Sequence, residues 1–145
     1  MIVQTSADAI RRGVARALAA ADHAVLPELP LANGRRADLV AVGRDASIAI
    51  VEIKSTRADF LTDRKWPEYL EFCDFFYFAV AQDFPHALLP DSEGMIIADR
   101  FMAEIVRDPH LRPLPATRRK AILLRFGRAA ATRLHALCDP FGTSG

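Results

Sequence analysis

Apolar residues recur every four positions near the start of the chain, at Ile10, Val14 and Leu18, and Ser6 stands just ahead of them. That period with a capping hydroxyl predicts a helix from about Ala7 to Ala20. Arg11, Arg12 and Arg16 lie off the stripe, on a face that reads as solvated, with phosphate contact as the alternative. The pattern then changes from periodic to continuous. Ala24 to Leu31 is apolar but interrupted by Pro27 and Pro30, the mark of an edge strand. Asn33-Gly34 is a hairpin turn signal. Beyond it, Arg36-Ala37-Asp38-Leu39-Val40-Ala41-Val42 and Ile48-Ala49-Ile50-Val51-Glu52-Ile53-Lys54 flank a turn-like Gly43 to Ser47. Two β-branched runs about such a segment predict an antiparallel hairpin. With Gly43 to Ser47 as the loop, Val42 faces Ile48, Val40 faces Ile50 and Asp38 faces Glu52.

Ser55 or Thr56 caps the next helix, predicted from Arg57 to about Phe72 and divided in two by Pro67. Phe60, Leu61, Tyr69 and Phe72 mark its apolar face; Arg57, Asp59, Asp63, Arg64 and Lys65 read mostly as a solvated, salt-bridged surface. Asp74 to Ala81 holds Phe75-Phe76-Tyr77-Phe78-Ala79-Val80, a strand buried on both faces whose phenylalanines read as core, not as a base-stacking platform. Strand, helix, strand implies a right-handed crossover and a parallel pair. Phe84 to Leu89 reads as a loop or short helix, Gly94 to Ala98 as a short strand, Phe101 to Val106 as a further strand, and His110 to Pro115 as a loop. The last helix is expected from about Ala116 to Leu137, with Ile122, Phe126, Ala129, Ala130 and Leu134 as its apolar stripe. It carries Arg118, Arg119, Lys120, Arg125, Arg128 and Arg133 and no acid. Such a face either tracks phosphates or finds its partners elsewhere on the domain.

The hairpin carries the chemistry. Like charges directly opposite one another destabilise a strand pair, and two adjacent carboxylates call for a cation or a proton between them. Lys54 shares parity with Glu52, so its ammonium projects from the same face. Two carboxylates able to grip a hard cation, with a lysine beside them, suit metal-assisted phosphodiester cleavage. The plainer alternative is a solvated hairpin face on which Lys54 merely partners Glu52. Glu28 is ambiguous. A two-residue turn at Asn33-Gly34 points it away from Asp38, whereas a loop from Leu31 to Arg35 sets it opposite. It is then either an edge-strand charge or a third carboxylate of the site.

Length and composition narrow the class. The 145 residues suit one domain, and a hydrophobic content of 51% allows a real core. The net charge of +1 carries no information without its distribution. Cys73 and Cys138 form no metal-binding spacing and read as free thiols. There is no run of membrane-spanning length and no basic-then-apolar start, so a cytoplasmic location is expected. The four histidines form no ligand spacing, and no Gly-rich phosphate loop or nucleophile elbow is present. Residues 139–145 are expected to fray.

Asp38, one hairpin, then Glu52-Ile53-Lys54 resembles the PD-(D/E)XK nuclease superfamily. The longer text, Arg35 to Val40 through Glu52 to Ser55 and on to Asp63-Arg64-Lys65-Trp66-Pro67-Glu68-Tyr69, resembles the MmcB family of bacterial DNA-repair-associated proteins over nearly the whole chain. Ala37 departs from the proline that often precedes the superfamily's aspartate. The resemblance implies an α/β restriction-endonuclease-like core in the order α-β-β-β-α-β. Its mixed sheet is flanked by helices and followed by a C-terminal extension that ends in the basic helix. It implies a DNA-cleaving enzyme dependent on Mg²⁺ or Mn²⁺, with Asp38, Glu52 and the Ile53 carbonyl as metal ligands. Lys54 would orient water or stabilise the transition state, and Glu28 would be an added upstream carboxylate. Lys65 and Tyr69 match the polar residue and tyrosine that the superfamily places near its site. Arg36, Arg57, Arg118, Arg119 and Lys120 complete the candidate nucleic-acid contacts. Expected partners are DNA, other repair proteins and a second copy of the chain. The competing expectations are a catalytically silent DNA-binding or accessory module, and a protein-interaction domain that meets no nucleic acid.

Overall fold

In the computed structural model, which describes residues 5–141, helix α1 (Ala7–Ala20) starts where Ser6 caps it, its hydroxyl accepting the Ala9 amide at 3.1 Å. Six strands follow one another across a single sheet: β1 (Ala24–Pro30), β2 (Arg36–Val42), β3 (Ile48–Ile53), β4 (Phe75–Val80), β5 (Gly94–Ala98) and β6 (Ala103–Arg107). β1, β2 and β3 are antiparallel, β3, β4 and β5 parallel, and β6 returns antiparallel to β5. The β3–β4 crossover holds a short helix α2 (Arg57–Thr62) and a 3₁₀ segment, Trp66–Phe72; α3 (Ala116–Cys138) closes the fold.

Because side chains alternate across a strand, the sheet builds two cores. Ile10, Val14 and Leu18 of α1 pack on Leu39, Ala41, Val51 and Ile96. On the other face Val40, Ile50, Phe76 and Phe78 meet Tyr69, Phe72 and Ile122. β3 is covered on both sides and buried at every position. Phe76 and Phe78 are fully buried and pack edge-to-face, with Trp66 against both, so the aromatic run is core.

α1 is held to the sheet at Gly13. A Cβ there would stand 1.8 Å from the Asp99 carbonyl oxygen and 2.8 Å from that of Met102. Neither backbone atom can move cheaply. Gly13→Ala should therefore destabilise the fold by roughly 3 kcal/mol, the upper part of the overpacking range, seen as a lower denaturation midpoint. An unchanged midpoint would show that α1 can ride away from the β5–β6 turn.

Three expectations change. The crossover helix divides at Asp63–Lys65, not at Pro67. Pro67 opens the 3₁₀ segment, where a missing amide proton leaves no bond unmade. The segment expected at Phe101 to Val106 forms β6 slightly later, at Ala103–Arg107. In α3 only Ile122 is buried, Phe126, Ala129 and Ala130 pack partly against the core, and Leu134, placed on the apolar stripe by its period, is 61% exposed. Cys73 and Cys138 are free. Among the described residues no helix is long and apolar enough to cross a membrane. Of the tail expected to fray, residues 142–145 lie outside the described residues.

Candidate active site

The β2–β3 ladder pairs Val42 with Ile48, Val40 with Ile50 and Leu39 with Val51, then stops. Side chains continue it. The Asp38 amide donates to Glu52 Oε1 at 3.0 Å, and the Ile53 amide donates to Asp38 Oδ2 at 2.9 Å. Each carboxylate thus caps the backbone of the opposite strand, and the two acids are brought together on one face. Burial, then the charge of Asp38, pushes the Glu52 carboxyl up to about 9. Two carboxylates this close resist ionising together, so without a cation the pair favours keeping one proton.

Lys54 lies just beyond, almost fully buried. Its ammonium does not partner Glu52. It donates to Asp63 Oδ2 at 2.6 Å and stands 4.0 Å from Asp59 Oδ1. Burial works against the charge of Asp63, but Lys54 and the Lys65 amide outweigh it and hold that carboxyl below its usual range. Asp59 is itself anchored. The Thr56 hydroxyl, at the N-cap of α2, accepts its amide, while its own carboxylate accepts the amide of Ser55, one residue before the cap.

Glu28 takes the longer-loop alternative. The Leu31 amide bonds the Arg35 carbonyl at 2.7 Å, and Leu29 pairs with Ala37 and Pro27 with Leu39, which sets Glu28 against Asp38. Its φ of 52° is left-handed, unfavourable for a residue with a Cβ. Arg133 of α3 holds that conformation by donating to the carbonyls of Pro27 and Glu28. The result is a cleft of about 400 Å³ that gathers Glu28, Asp38, Glu52, Ile53, Lys54 and Tyr69, with Asp59 and Asp63 on one wall and Asp8 and Arg11 on the other.

Tyr69 donates its hydroxyl to the Arg36 carbonyl at 3.1 Å. Burial, with the charges of Glu52 and Asp38, raises its phenol to about 12, so it stays protonated. The other candidates are dispersed. Arg36, Arg57 and Lys65 are exposed and do not line the cleft, nor do Arg118 and Lys120 on α3. Arg118 reaches the Glu71 carbonyl at 3.3 Å. Arg119 needs correcting. Instead of facing solvent for phosphate, it forms a two-point ion pair with buried Asp74 at 2.6 and 2.8 Å and donates to the Ala46 carbonyl. Reading the sequence passed over Asp59, Asp63 and Arg133 as site-building residues. Only Asp59 carried a signal, the Thr56-x-x-Asp59 cap.

No cluster of three or more His, Cys, Asp or Glu side chains in metal-holding arrangement occurs among the described residues. A cation here would rest on the Asp38–Glu52 pair, backbone oxygen and water. That all-oxygen set suits Mg²⁺, which keeps several waters and is usually held by one or two carboxylates.

A family model described as DNA repair protein MmcB-like matches residues 3–141. A solved structure of a protein of unknown function from Silicibacter pomeroyi is 42% identical and superposes with a TM-score of 0.93, over 99% of this chain and 98% of that one. No curated protein matches.

Proposed function

The chain belongs to the family of MmcB-like DNA repair proteins, and on that premise we propose that it is a Mg²⁺-dependent deoxyribonuclease with a restriction-endonuclease-like, PD-(D/E)XK site. The observation that carries this reading is the paired Asp38 and Glu52, each capping the other's strand, with buried Lys54 beside them. A carboxylate pair placed only for stability would not open onto a cleft beside a buried lysine. Bound there, a divalent cation supplies Lewis-acid polarisation of the scissile phosphate and a water acidic enough to attack it.

The chain's own residues do the rest. Asp38 and Glu52 grip the cation, with Glu28 and the Ile53 backbone at the same cleft. Lys54 has three N–H donors. Asp63 engages one and aims the ammonium, leaving others to meet a phosphate oxygen as charge builds on it. Tyr69 is a fixed wall whose hydroxyl is already donated to the Arg36 carbonyl. Lys54→Met should lower cleavage by about 10²-fold, the scale of one lost transition-state donor, while the rise in melting temperature with Mg²⁺ persists. Loss of that rise would mean that Lys54 serves the metal site and not the phosphate.

One observation favours a second reading, a catalytically silent DNA-binding module of a repair complex: the Lys54 charge is already met by Asp63 and Asp59. Incubating the protein with single-stranded, duplex, flapped and branched DNA, with Mg²⁺, Mn²⁺ or neither, separates the two. Metal-dependent product that disappears in Asp38→Asn supports the enzyme. Binding without cleavage of any substrate favours the module.

A further inference from the structure

We infer that the groove between α1 and β1, and not the basic face of α3, carries the nucleic-acid strand to the cleft, and that it takes single-stranded phosphodiester. The inference rests on the nuclease reading for what happens at the cleft, but not for the binding itself. The groove has a volume of about 560 Å³. Its wall is the polar side of α1, with Arg11, Arg12 and Arg16, and its floor is Val25, Pro27 and Leu39. It is continuous with the acidic cleft, since Asp8 and Arg11 line both. Arg11 marks the junction, 3.1 Å from Asp8 and 3.7 Å from Glu28.

The charges further along are uncommitted. Arg12 and Arg16 are exposed and have no hydrogen-bond or ion-pair partner among the described residues. They lie one helical turn apart on the same side of α1, about 6 Å along its axis, so they present two cationic forks in line with the cleft. The arginines of α3 differ. Arg119 and Arg133 are committed to Asp74 and to the β1 carbonyls, and Arg118 touches Glu71. Arg125 and Arg128 face a separate hollow with Leu29 and Leu124, and that hollow shares no lining residue with the cleft.

The occupant follows from shape and chemistry. The hollow, about 560 Å³ between one helix and the sheet edge, has room for a single chain and not for a duplex. A floor without aromatic rings offers apolar contact to sugar and base but no stacking platform, which leaves binding dominated by phosphate contacts. A duplex laid over the trough would meet the guanidinium groups only at its outer phosphates.

The test is fluorescence anisotropy on the whole protein without divalent ions, using a labelled single-stranded oligonucleotide and its duplex across a salt series. Arg12→Gln/Arg16→Gln should weaken single-strand binding at least about tenfold at low salt. It should also make the slope of log affinity against log salt shallower by about 1.4, two phosphate contacts at about 0.7 each. Arg125→Gln/Arg128→Gln should leave both quantities near wild type. Neither pair is part of the fold's ion-pair network, and equal melting temperatures confirm that the variants fold. Unchanged single-strand affinity in the α1 variant, equal loss on single strand and duplex, or a wild type that binds no single strand would each overturn the proposal. Mg²⁺-dependent stabilisation, measured separately, judges the metal site, so the groove and the nuclease reading fail independently.

Discussion

Replacing Glu52 by Gln should abolish metal-dependent cleavage and remove the stabilisation by Mg²⁺, while leaving the metal-free fold at least as stable as the wild type. Gln keeps the oxygen that accepts the Asp38 amide and cannot ionise, so it removes the charge that Glu52 would take on as pH rises. The gain grows with pH, because the wild-type carboxyl ionises freely only in the unfolded chain. Its pH dependence has a definite sign. The folded-state value of Glu52 is raised from 4.5 to about 9, so folding takes up a proton between those limits. The associated stability is fully present below 4.5 and is lost as pH rises through about 9. Wild type and variant should therefore differ least near pH 4 and most, in the variant's favour, near pH 9. A cation must displace that proton, so Mg²⁺ should bind the wild type more tightly as pH rises over the same window. Because a ligand of the folded state alone raises the melting temperature, melts of both proteins with and without Mg²⁺ at several pH values read all of this without a substrate. A variant less stable than wild type, with Mg²⁺ silent in both, would make Glu52 a structural residue and end the metal-site reading.

Asp74→Ala should cost about 3–5 kcal/mol, the range for breaking a buried ion pair, and lower the melting temperature by roughly 10 °C in a chain of this size. The carboxylate is buried at the start of β4 and closes four bonds at once. It accepts the amide of Ile48 at 2.8 Å, that of Leu114 at 2.9 Å, and both guanidinium nitrogens of Arg119. One side chain thus ties the active-site hairpin to α3 and the loop before it. Truncation would leave two buried amides unpaired, each with its own desolvation penalty. Burial alone would raise the carboxyl, but Arg119 and the two amides hold it below 3.8. Its contribution is therefore present above that value and disappears as pH falls below it. Urea unfolding at pH 7 and pH 3 measures the loss, which should shrink at the lower pH. The Mg²⁺ shift should survive, since Asp74 does not line the cleft. A loss below about 1 kcal/mol at pH 7 would show that Arg119 and the amides find other partners.

The alternation of apolar residues and the length of Gly43 to Ser47 set the hairpin register from the sequence alone, because pleat and turn are short-range and admit few solutions. Asp38 was therefore legible opposite Glu52, Lys54 on their side, the α1 stripe on its helix, and the phenylalanines of β4 as core. The element order through β4 was legible for the same reason. What the sequence left open was decided by packing between segments far apart in the chain. Glu28 could face either way until the Leu31–Arg35 bond chose the longer loop and Arg133 held its left-handed backbone from 105 residues away. Lys54 bonds Asp63 nine residues on, across a broken helix in which no periodicity relates them. Arg119 looked like a free surface cation and is committed to an acid 45 residues distant. Arg12 and Arg16 looked like an ordinary solvated face, and they line a groove only because α1 lies beside β1. Local hydrogen bonding and side-chain period determine which face a residue occupies, whereas tertiary packing determines which charge it meets there.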